Sequence, residues 1–382
     1  MRIAYVINSL EGGGAAAPVP AVTRVLRDQG AEVEVFALLP RDRRALAGME
    51  ADGLVVHVRE GREKDHLAAL TWLDRQIAAF QPDLIWTSLT RATLLGQLVG
   101  LRRRLPVVSW QHAAFLKPAN RILLRNAQRL SQLWIGDSNN VTCLTARRLG
   151  VPPERLTTWP LFAANGAAPV AKPWSPGQTV ELGSLGRLHR VKGYDVLIEA
   201  LAILKASHFA PPAPFRVRIA GDGAQRASLA ARIAAAGLDN VELVGFQEQP
   251  RAFLASLHGY LQPSRSEGLC IAAHEAMEAA LPMVVSAAGE MPFSVLDERT
   301  GFVVAPDDPE ALAEALRRLL SHPERLAAMG QASRERVLER FGAARFARTG
   351  AEIYGRLPLS RAKLRGRGPH RSAVRPASGR SA

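Results

Sequence analysis

The chain has 382 residues, of which 47% are hydrophobic and 22% charged, and its formal net charge is +14. This length exceeds what one hydrophobic core usually supports, so we expect two domains. No apolar run reaches the ~20 residues that a membrane span needs, and two cysteines, Cys143 and Cys270, exclude a disulfide framework. We therefore expect a cytoplasmic protein.

Short Val- and Ile-rich runs alternate with helical patterns along the first half of the chain. Strands are predicted over residues 2–7, 31–39, 54–59, 84–88, 106–111 and 133–138, with helices such as 15–29 and 64–80 between them. Nearly continuous apolar strands separated by helices indicate a parallel sheet that is covered on both faces.

The Pro-, Gly- and Ala-rich residues 163–177 interrupt this alternation and indicate a linker. The pattern then resumes with strands predicted near 179–185, 215–220, 241–246, 259–264, 282–286 and 301–306, and with closing helices over 307–321, 323–340 and 343–356. The sequence thus predicts an α/β fold with two Rossmann-like, doubly wound parallel-sheet domains that face a cleft, where ligands of such sheets bind.

The predicted boundaries follow from these elements. They are an N-terminal domain over 1–165, a linker over 166–178, a C-terminal domain over 179–342, a helix over 343–357 that packs back on the first domain, and a basic disordered tail over 358–382.

Positive charge is concentrated in two regions. Residues 360–382 carry seven Lys and Arg and no acid, and residues 101–150 carry nine against one acid, Asp137. In the second region a basic stripe recurs every four residues: Lys117, Arg121, Arg125 and Arg129. Such asymmetry indicates an anionic partner, although a solvated helix face explains the stripe equally well.

Glycine-rich turns follow several predicted strands. Gly12, Gly13 and Gly14 precede a helix without dinucleotide-binding spacing. In the segment Gly186–Gly193, Arg187 and Lys192 could converge with helix N–H groups on a phosphate. Taken alone, such a pair is more often a solvated loop, and Gly221 is by itself a turn signal.

Two glutamates, Glu267 and Glu275, lie eight positions apart near a predicted helix. Eight helical residues rise ~12 Å, which is too far for two carboxylates that flank one glycosidic bond. The spacing favours contacts with the two ends of an elongated ligand, whereas ordinary surface charge is the alternative.

These motifs resemble, in order and spacing, those of the GT-B-fold retaining glycosyltransferases of family four, the "group 1" enzymes. The resemblance covers most of residues 1–355. It rests on the glycine-rich first loop, Gly186-Arg187-Leu188 with Lys192-Gly193, Gly221-Asp222-Gly223, Pro263-Ser264 with Glu267-Gly268, and Glu275-Ala276-Met277.

The resemblance implies a role for each matching residue. Arg187 and Lys192 would hold the donor diphosphate, Glu267 and His112 would contact the donor sugar, and Glu275 would bind the ribose. We expect Arg187, Lys192, Glu267 and His112 to be catalytic. The expected donor-binding residues are Gly13, Gly14, Gly186, Gly221, Gly268, Leu269, Cys270 and Glu275. A UDP- or GDP-linked sugar would be the co-substrate, with no other cofactor and no metal.

The implied reaction is hexosyl transfer to a lipid-linked saccharide or polysaccharide precursor of the cell envelope, such as lipopolysaccharide. The basic stripe would then dock on the anionic inner face of the cytoplasmic membrane. An alternative is a non-catalytic nucleotide-sugar-binding subunit, because Cys270, Ala280 and Glu290 stand where relatives usually have glycine. Nucleic-acid binding rests on charge alone, since the tail lacks interleaved aromatic residues, and it is not expected.

Overall fold

The computed structural model describes residues 1–11, 14–112 and 116–357. Gly13 and the basic tail predicted over 358–382 lie outside these ranges.

The first sheet has seven parallel strands in the order β3-β2-β1-β4-β5-β6-β7. Their bounds are β1 Arg2–Ile7, β2 Glu32–Ala37, β3 Val55–Val58, β4 Leu84–Ser88, β5 Val107–Gln111, β6 Leu133–Gly136 and β7 Leu156–Thr158. The strands predicted from sequence all form. The short edge strand β7 was missed, because its three half-buried residues show no apolar run.

Helices cover both faces of this sheet. Their bounds are α1 Val19–Asp28, α2 Leu46–Ala51, α3 His66–Phe80, α4 Thr90–Arg103, α5 Pro118–Ala127 and α6 Asn139–Leu149. Helix α6 shows why such ends can be read from sequence. The Ser138 hydroxyl accepts a hydrogen bond from Val141 N at its start, and Gly150 ends it with a φ of 70°.

The second sheet has six parallel strands in the order β10-β9-β8-β11-β12-β13. The strands are β8 Val180–Leu185, β9 Phe215–Ala220, β10 Val241–Gly245, β11 Gly259–Gln262, β12 Met283–Ser286 and β13 Gly301–Val304. The helices are α7 Tyr194–Ala206, α8 Arg226–Ala235, α9 Pro250–Ala255, α10 Ile271–Glu278, α11 Met291–Ser294, α12 Pro309–Leu320, α13 Leu326–Phe341 and α14 Ala343–Gly355.

Strand order reverses beside β1 in the first sheet and beside β8 in the second. A crevice for ligands forms at such a switch point, outside the carboxyl ends of the strands. The predicted fold class, two doubly wound parallel-sheet domains, is confirmed.

The last helix returns to the first sheet. Helix α14 packs against α1, and the ring of Phe346 lies 5.1 Å from that of Trp159. Trp159 in turn stacks on Trp110 at 5.0 Å in the buried core. A Cβ atom at Gly350 would lie 2.3 Å from Trp159, so the absence of a side chain there permits this close packing.

Candidate active site

The loop after β8 brings Lys192 to the carboxyl edge of the second sheet. Gly193 follows it with a φ of 68° and begins α7. A Cβ atom at Gly193 would lie 1.9 Å from the carbonyl oxygen of Pro263. Only glycine therefore lets this loop pack on the loop after β11, and that packing places Lys192 next to Glu267.

The Glu267 carboxylate is held by three donors on one oxygen, Oε1. Lys192 Nζ donates at 2.8 Å, the Ser264 hydroxyl at 2.6 Å and Gln262 Nε2 at 3.3 Å. Burial by itself lowers the pKa of Lys192, but Cys270 and Glu267 outweigh it and raise that pKa above its ordinary value. The lysine is therefore cationic at neutral pH, and charge-assisted hydrogen bonding fixes the carboxylate.

Gly268 is the point at which the two domains come into contact. A Cβ atom there would lie 2.6 Å from the His112 carbonyl oxygen and 3.2 Å from Asp137 Oδ2. The glycine thus lets the first domain approach the residue directly after Glu267. This contact places Gly268 beside the backbone of His112, a predicted site residue, and beside the carboxyl of Asp137, which the sequence analysis did not assign to the site.

The His112 imidazole is buried and points back into the first domain. Its Nε2 atom lies 2.6 Å from the Ser88 hydroxyl, with which it shares a hydrogen bond. Burial lowers the pKa of His112 to about 3. The ring is therefore neutral at physiological pH and can donate or accept one hydrogen bond at its other nitrogen.

Glu275 lines a cavity of about 820 Å³ between α9, α10 and the interdomain linker. Arg251 lies in the same lining and forms an ion pair of 3.3 Å with Glu278. Burial raises the pKa of Glu275 to about 7, although the charge of Arg251 opposes that shift. Sequence reasoning missed Arg251, because an arginine after a proline in a polar segment gives no signal of its own.

Arg187 stands apart from the Lys192–Glu267 pair. Its side chain is 79% exposed, and its Nη1 atom lies 4.0 Å from Glu11 Oε1 across the cleft. Gly186 and Gly221 lie beneath it, where a Cβ atom at Gly221 would lie 1.9 Å from the Gly186 carbonyl oxygen. These two glycines therefore let the loops after β8 and β9 pack closely, which positions Arg187 at the rim.

The remaining predicted donor-binding residues lie at the start of α10. Leu269 is buried, and Cys270 precedes the helix with a φ of 64°. A Cβ atom at Gly14, from the first domain, would lie 3.8 Å from Ile271. The φ of Cys270 lies in the left-handed region, which glycine adopts at no steric cost.

Glu290 also links the two domains. Its backbone N–H donates to the Gly268 carbonyl at 3.0 Å. Its buried carboxylate pairs with Arg340 at 2.9 Å and accepts from Asn139 Nδ2 and Asn140 N, both at 3.5 Å. This carboxylate therefore sits at the amino end of α6, where the helix dipole stabilises negative charge.

The basic stripe is exposed on the first domain. Lys117, Arg121, Arg125 and Arg129 all face solvent, together with Ile122 and Leu123 at 58% and 51% exposure. One detail of the predicted helix was wrong. Helix α5 ends at Ala127, so Arg129 lies in a 3-10 turn, Gln128–Leu130, that follows it.

Neither a bilayer-spanning helix nor a metal-binding group occurs in the part of the chain that the structure describes. There, no helix has the length and apolar character to cross a membrane, and no cluster of three or more His, Cys, Asp or Glu is arranged to hold a metal ion.

Two family models match the chain. The model described as "Glycosyl transferases group 1" matches residues 171–336, and the model described as "Glycosyltransferase Family 4" matches residues 12–162. Together they cover both domains and every motif of the site. The chain belongs to the group 1 glycosyltransferases of family four.

Relatives of this group 1 glycosyltransferase include the D-inositol 3-phosphate glycosyltransferase of Kineococcus radiotolerans, which is 27% identical over 94% of each chain. The lipopolysaccharide core biosynthesis mannosyltransferase LpcC of Rhizobium leguminosarum is 30% identical over 48% of this chain and 52% of its own length. The chain spans 44% and 41% of the D-inositol 3-phosphate glycosyltransferases of Streptomyces coelicolor and Streptomyces avermitilis.

The fold has solved counterparts. HepE of Anabaena, solved in complex with UDP-glucose, superposes with a TM-score of 0.79 at 21% identity, over 94% of this chain and all of that one. The lipopolysaccharide outer core galactosyltransferase WaaB, in its apo form, gives a TM-score of 0.69 at 16% identity. At these identities the similarity establishes the shared two-domain architecture.

Proposed function

We propose that this group 1 glycosyltransferase moves a hexosyl group from a UDP- or GDP-linked sugar to a saccharide acceptor, with retention at the anomeric carbon and without a metal ion. The observation that carries the proposal is the fixed Lys192–Glu267 pair, with its 2.8 Å contact at the carboxyl edge of the second sheet. Helix α10, which begins shortly after Glu267, carries Glu275 into the lining of the cavity.

The cationic side chains of Lys192 and Arg187 would bind the donor diphosphate. Breaking the bond between sugar and phosphate leaves negative charge on the departing nucleotide, and fixed cations stabilise charge that develops in the transition state. Lys192 is cationic and partly buried, whereas Arg187 is free to swing from Glu11 to a phosphate at the rim. Glu267, held by its three donors, would face the sugar next to the reacting carbon.

The cavity beside α10 would hold the nucleoside. Glu275 would accept hydrogen bonds from the ribose hydroxyls, and the planar guanidinium of Arg251 offers a face on which a base can stack. The volume of about 820 Å³ lies within the usual range for small-molecule sites. HepE is solved with UDP-glucose, which supports a nucleotide-sugar here.

The acceptor would be a lipid-linked saccharide or polysaccharide precursor of the cell envelope. Two observations support this part of the proposal. LpcC is named for the lipopolysaccharide core, and the exposed basic stripe carries apolar Ile122 and Leu123 beside its cations. A basic amphipathic surface of this kind binds anionic lipid interfaces, which would hold the protein on the inner face of the cytoplasmic membrane.

Liposome co-sedimentation tests the docking. Each basic residue near an anionic surface contributes about 1 kcal/mol, so Arg121→Ala with Arg125→Ala should weaken binding to phosphatidylglycerol vesicles by roughly 30-fold. Lys205→Ala with Arg232→Ala removes the same charge from the second domain and serves as the control. Equal binding by both double variants would refute docking through the stripe.

A nucleotide-sugar screen tests the transferase activity itself. Stabilisation of the fold by UDP or GDP, measured by thermal shift, would identify the donor base, because a ligand that binds only the folded state raises stability. Turnover with the matching sugar, unchanged by EDTA and with the product's anomeric configuration read by NMR, would establish a retaining, metal-independent enzyme. A protein that binds the nucleotide-sugar but neither transfers nor hydrolyses it would instead be the non-catalytic subunit.

A further inference from the structure

Two buried side chains face each other at the cleft edge of the first sheet without completing their hydrogen bonds. The His112 and Asp137 side chains are each 5% exposed, and His112 Nδ1 lies 3.9 Å from Asp137 Oδ2. Neither His112 Nδ1 nor Asp137 Oδ1 has a hydrogen-bond partner among the described residues. The carboxyl of Asp137 also faces the Cα atom of Gly268, in the loop of the second domain.

Such unsatisfied groups are costly to the folded state. A buried polar atom without a partner has lost its hydrogen bonds to water and gained none in return, so native proteins satisfy nearly all such atoms. No Lys or Arg pairs with Asp137 in the part of the chain described here, whereas Lys192 pairs with Glu267 and Arg340 pairs with Glu290. Burial, and then the charges of Glu290 and Glu267, raise the pKa of Asp137 well above its ordinary value.

The 3.9 Å separation suits one bridging oxygen atom. An oxygen that lies ~2.8 Å from both atoms makes two hydrogen bonds of normal length. One proton between the two side chains would be carried either by the imidazole Nδ1 or by the carboxyl group. In both states one side donates and the other accepts, and a hydroxyl group, which does both, matches either state.

The space between His112 Nδ1 and Asp137 Oδ2 lies next to Gly268. The proposed function places the donor sugar beside the preceding residue, Glu267. We propose that Asp137 is a specificity-determining residue that, together with His112, binds one hydroxyl group of the donor hexose. This inference rests on the proposed function. If the bound hydroxyl is the one at C6, the site also favours a neutral hexose over a uronic acid, because a carboxylate at this position would lie among the acids Asp137, Glu267 and Glu290.

Donor dissociation constants measured by calorimetry test the assignment. The ligands are UDP, UDP-glucose, its 2-, 3-, 4- and 6-deoxy analogues and UDP-glucuronic acid, or the GDP-mannose series if GDP rather than UDP binds the wild type. We expect one deoxy analogue to bind the wild type about 10- to 100-fold more weakly than the parent sugar. If that analogue is the 6-deoxy sugar, the uronic acid should bind weakly as well. Asp137→Ala should bind the parent and that deoxy analogue equally, with UDP affinity unchanged.

Two further variants separate recognition from a structural role. Asp137→Asn keeps a hydrogen-bonding group and should regain part of the discrimination. It should not lower the thermal midpoint, because it removes an unpaired buried acid. Asp74→Ala, at a buried carboxyl that pairs with Arg103 at 2.7 Å, should lower the midpoint and leave every affinity ratio unchanged.

The outcomes are distinct. Nucleotide binding with wild-type affinity ratios in both Asp137 variants would overturn the role of Asp137 and leave the proposed function standing. A wild-type protein that binds neither UDP nor GDP would overturn the proposed function and this inference with it.

Discussion

Replacing Lys192 by methionine should reduce both stability and turnover, and the two effects can be separated. The lysine donates to Glu267 at 2.8 Å, and the two side chains are 20% and 10% exposed. Removing one partner of a buried ion pair costs about 3–5 kcal/mol because the other charge is left unpaired. Partial solvation and the donors Ser264 and Gln262, which remain, reduce this cost to about 2 kcal/mol.

The loss of turnover has a different origin. Removing one fixed group that stabilises transition-state charge typically lowers kcat about 10²- to 10³-fold. The double variant Lys192→Met with Glu267→Gln no longer carries an unpaired carboxylate, so its stability should recover. Its turnover should stay low, because the cation is still missing and the residue beside the sugar has also changed.

Thermal unfolding and initial rates with saturating donor measure both effects. Lys205→Met is the control: Lys205 lies near the end of α7, the helix that follows Lys192, its amine donates to the Gly237 carbonyl, and the variant should keep turnover within a few-fold of wild type. Wild-type kcat in Lys192→Met would refute electrostatic catalysis by this lysine. Stability that fails to recover in the double variant would refute the unpaired-carboxylate explanation.

Three further predictions concern residues of the site and its supports. Because the folded-state pKa of Glu275 is about 7 against an ordinary value of 4.5, the contribution of this carboxyl to stability should fall by about 3 kcal/mol as pH rises from 4.5 through 7, and it is measured as the difference in slope between wild type and Glu275→Gln. Glu275→Gln should lose that slope in pH-dependent chemical unfolding, and an unchanged slope would contradict the assignment. Gly268→Ala places a Cβ atom 2.6 Å from the His112 carbonyl, so X-ray scattering should show a wider cleft and kcat should fall at least about 100-fold; a variant with wild-type kcat would show that the contact is dispensable. Ala280 has a φ of 59°, so Ala280→Gly should raise the free energy of unfolding by about 0.5–1 kcal/mol, and a loss of stability in denaturant titration would disprove the strain.

The sequence located much of the candidate site but not its contacts. Lys192 and Glu267 were both assigned to the donor, yet the ion pair between them joins loops 75 residues apart and has no local signature. The sequence analysis named Asp137 only as the single acid among residues 101–150, at the end of a predicted strand. Its importance comes from the burial of its carboxyl, whose Oδ1 atom has no hydrogen-bond partner among the described residues, and from the approach of Gly268 of the other domain to that carboxyl.

The sequence by itself determined the fold class, most strand positions along the chain and the loops that carry the motifs. It could do so because periodic burial, helix caps and glycine turns are properties of neighbouring residues. Only the tertiary structure decided which charges meet, which polar atoms stay without partners and which pKa values shift. Those properties depend on burial and on distances of a few ångströms between loops that are remote in sequence, both within the second domain and between the two domains.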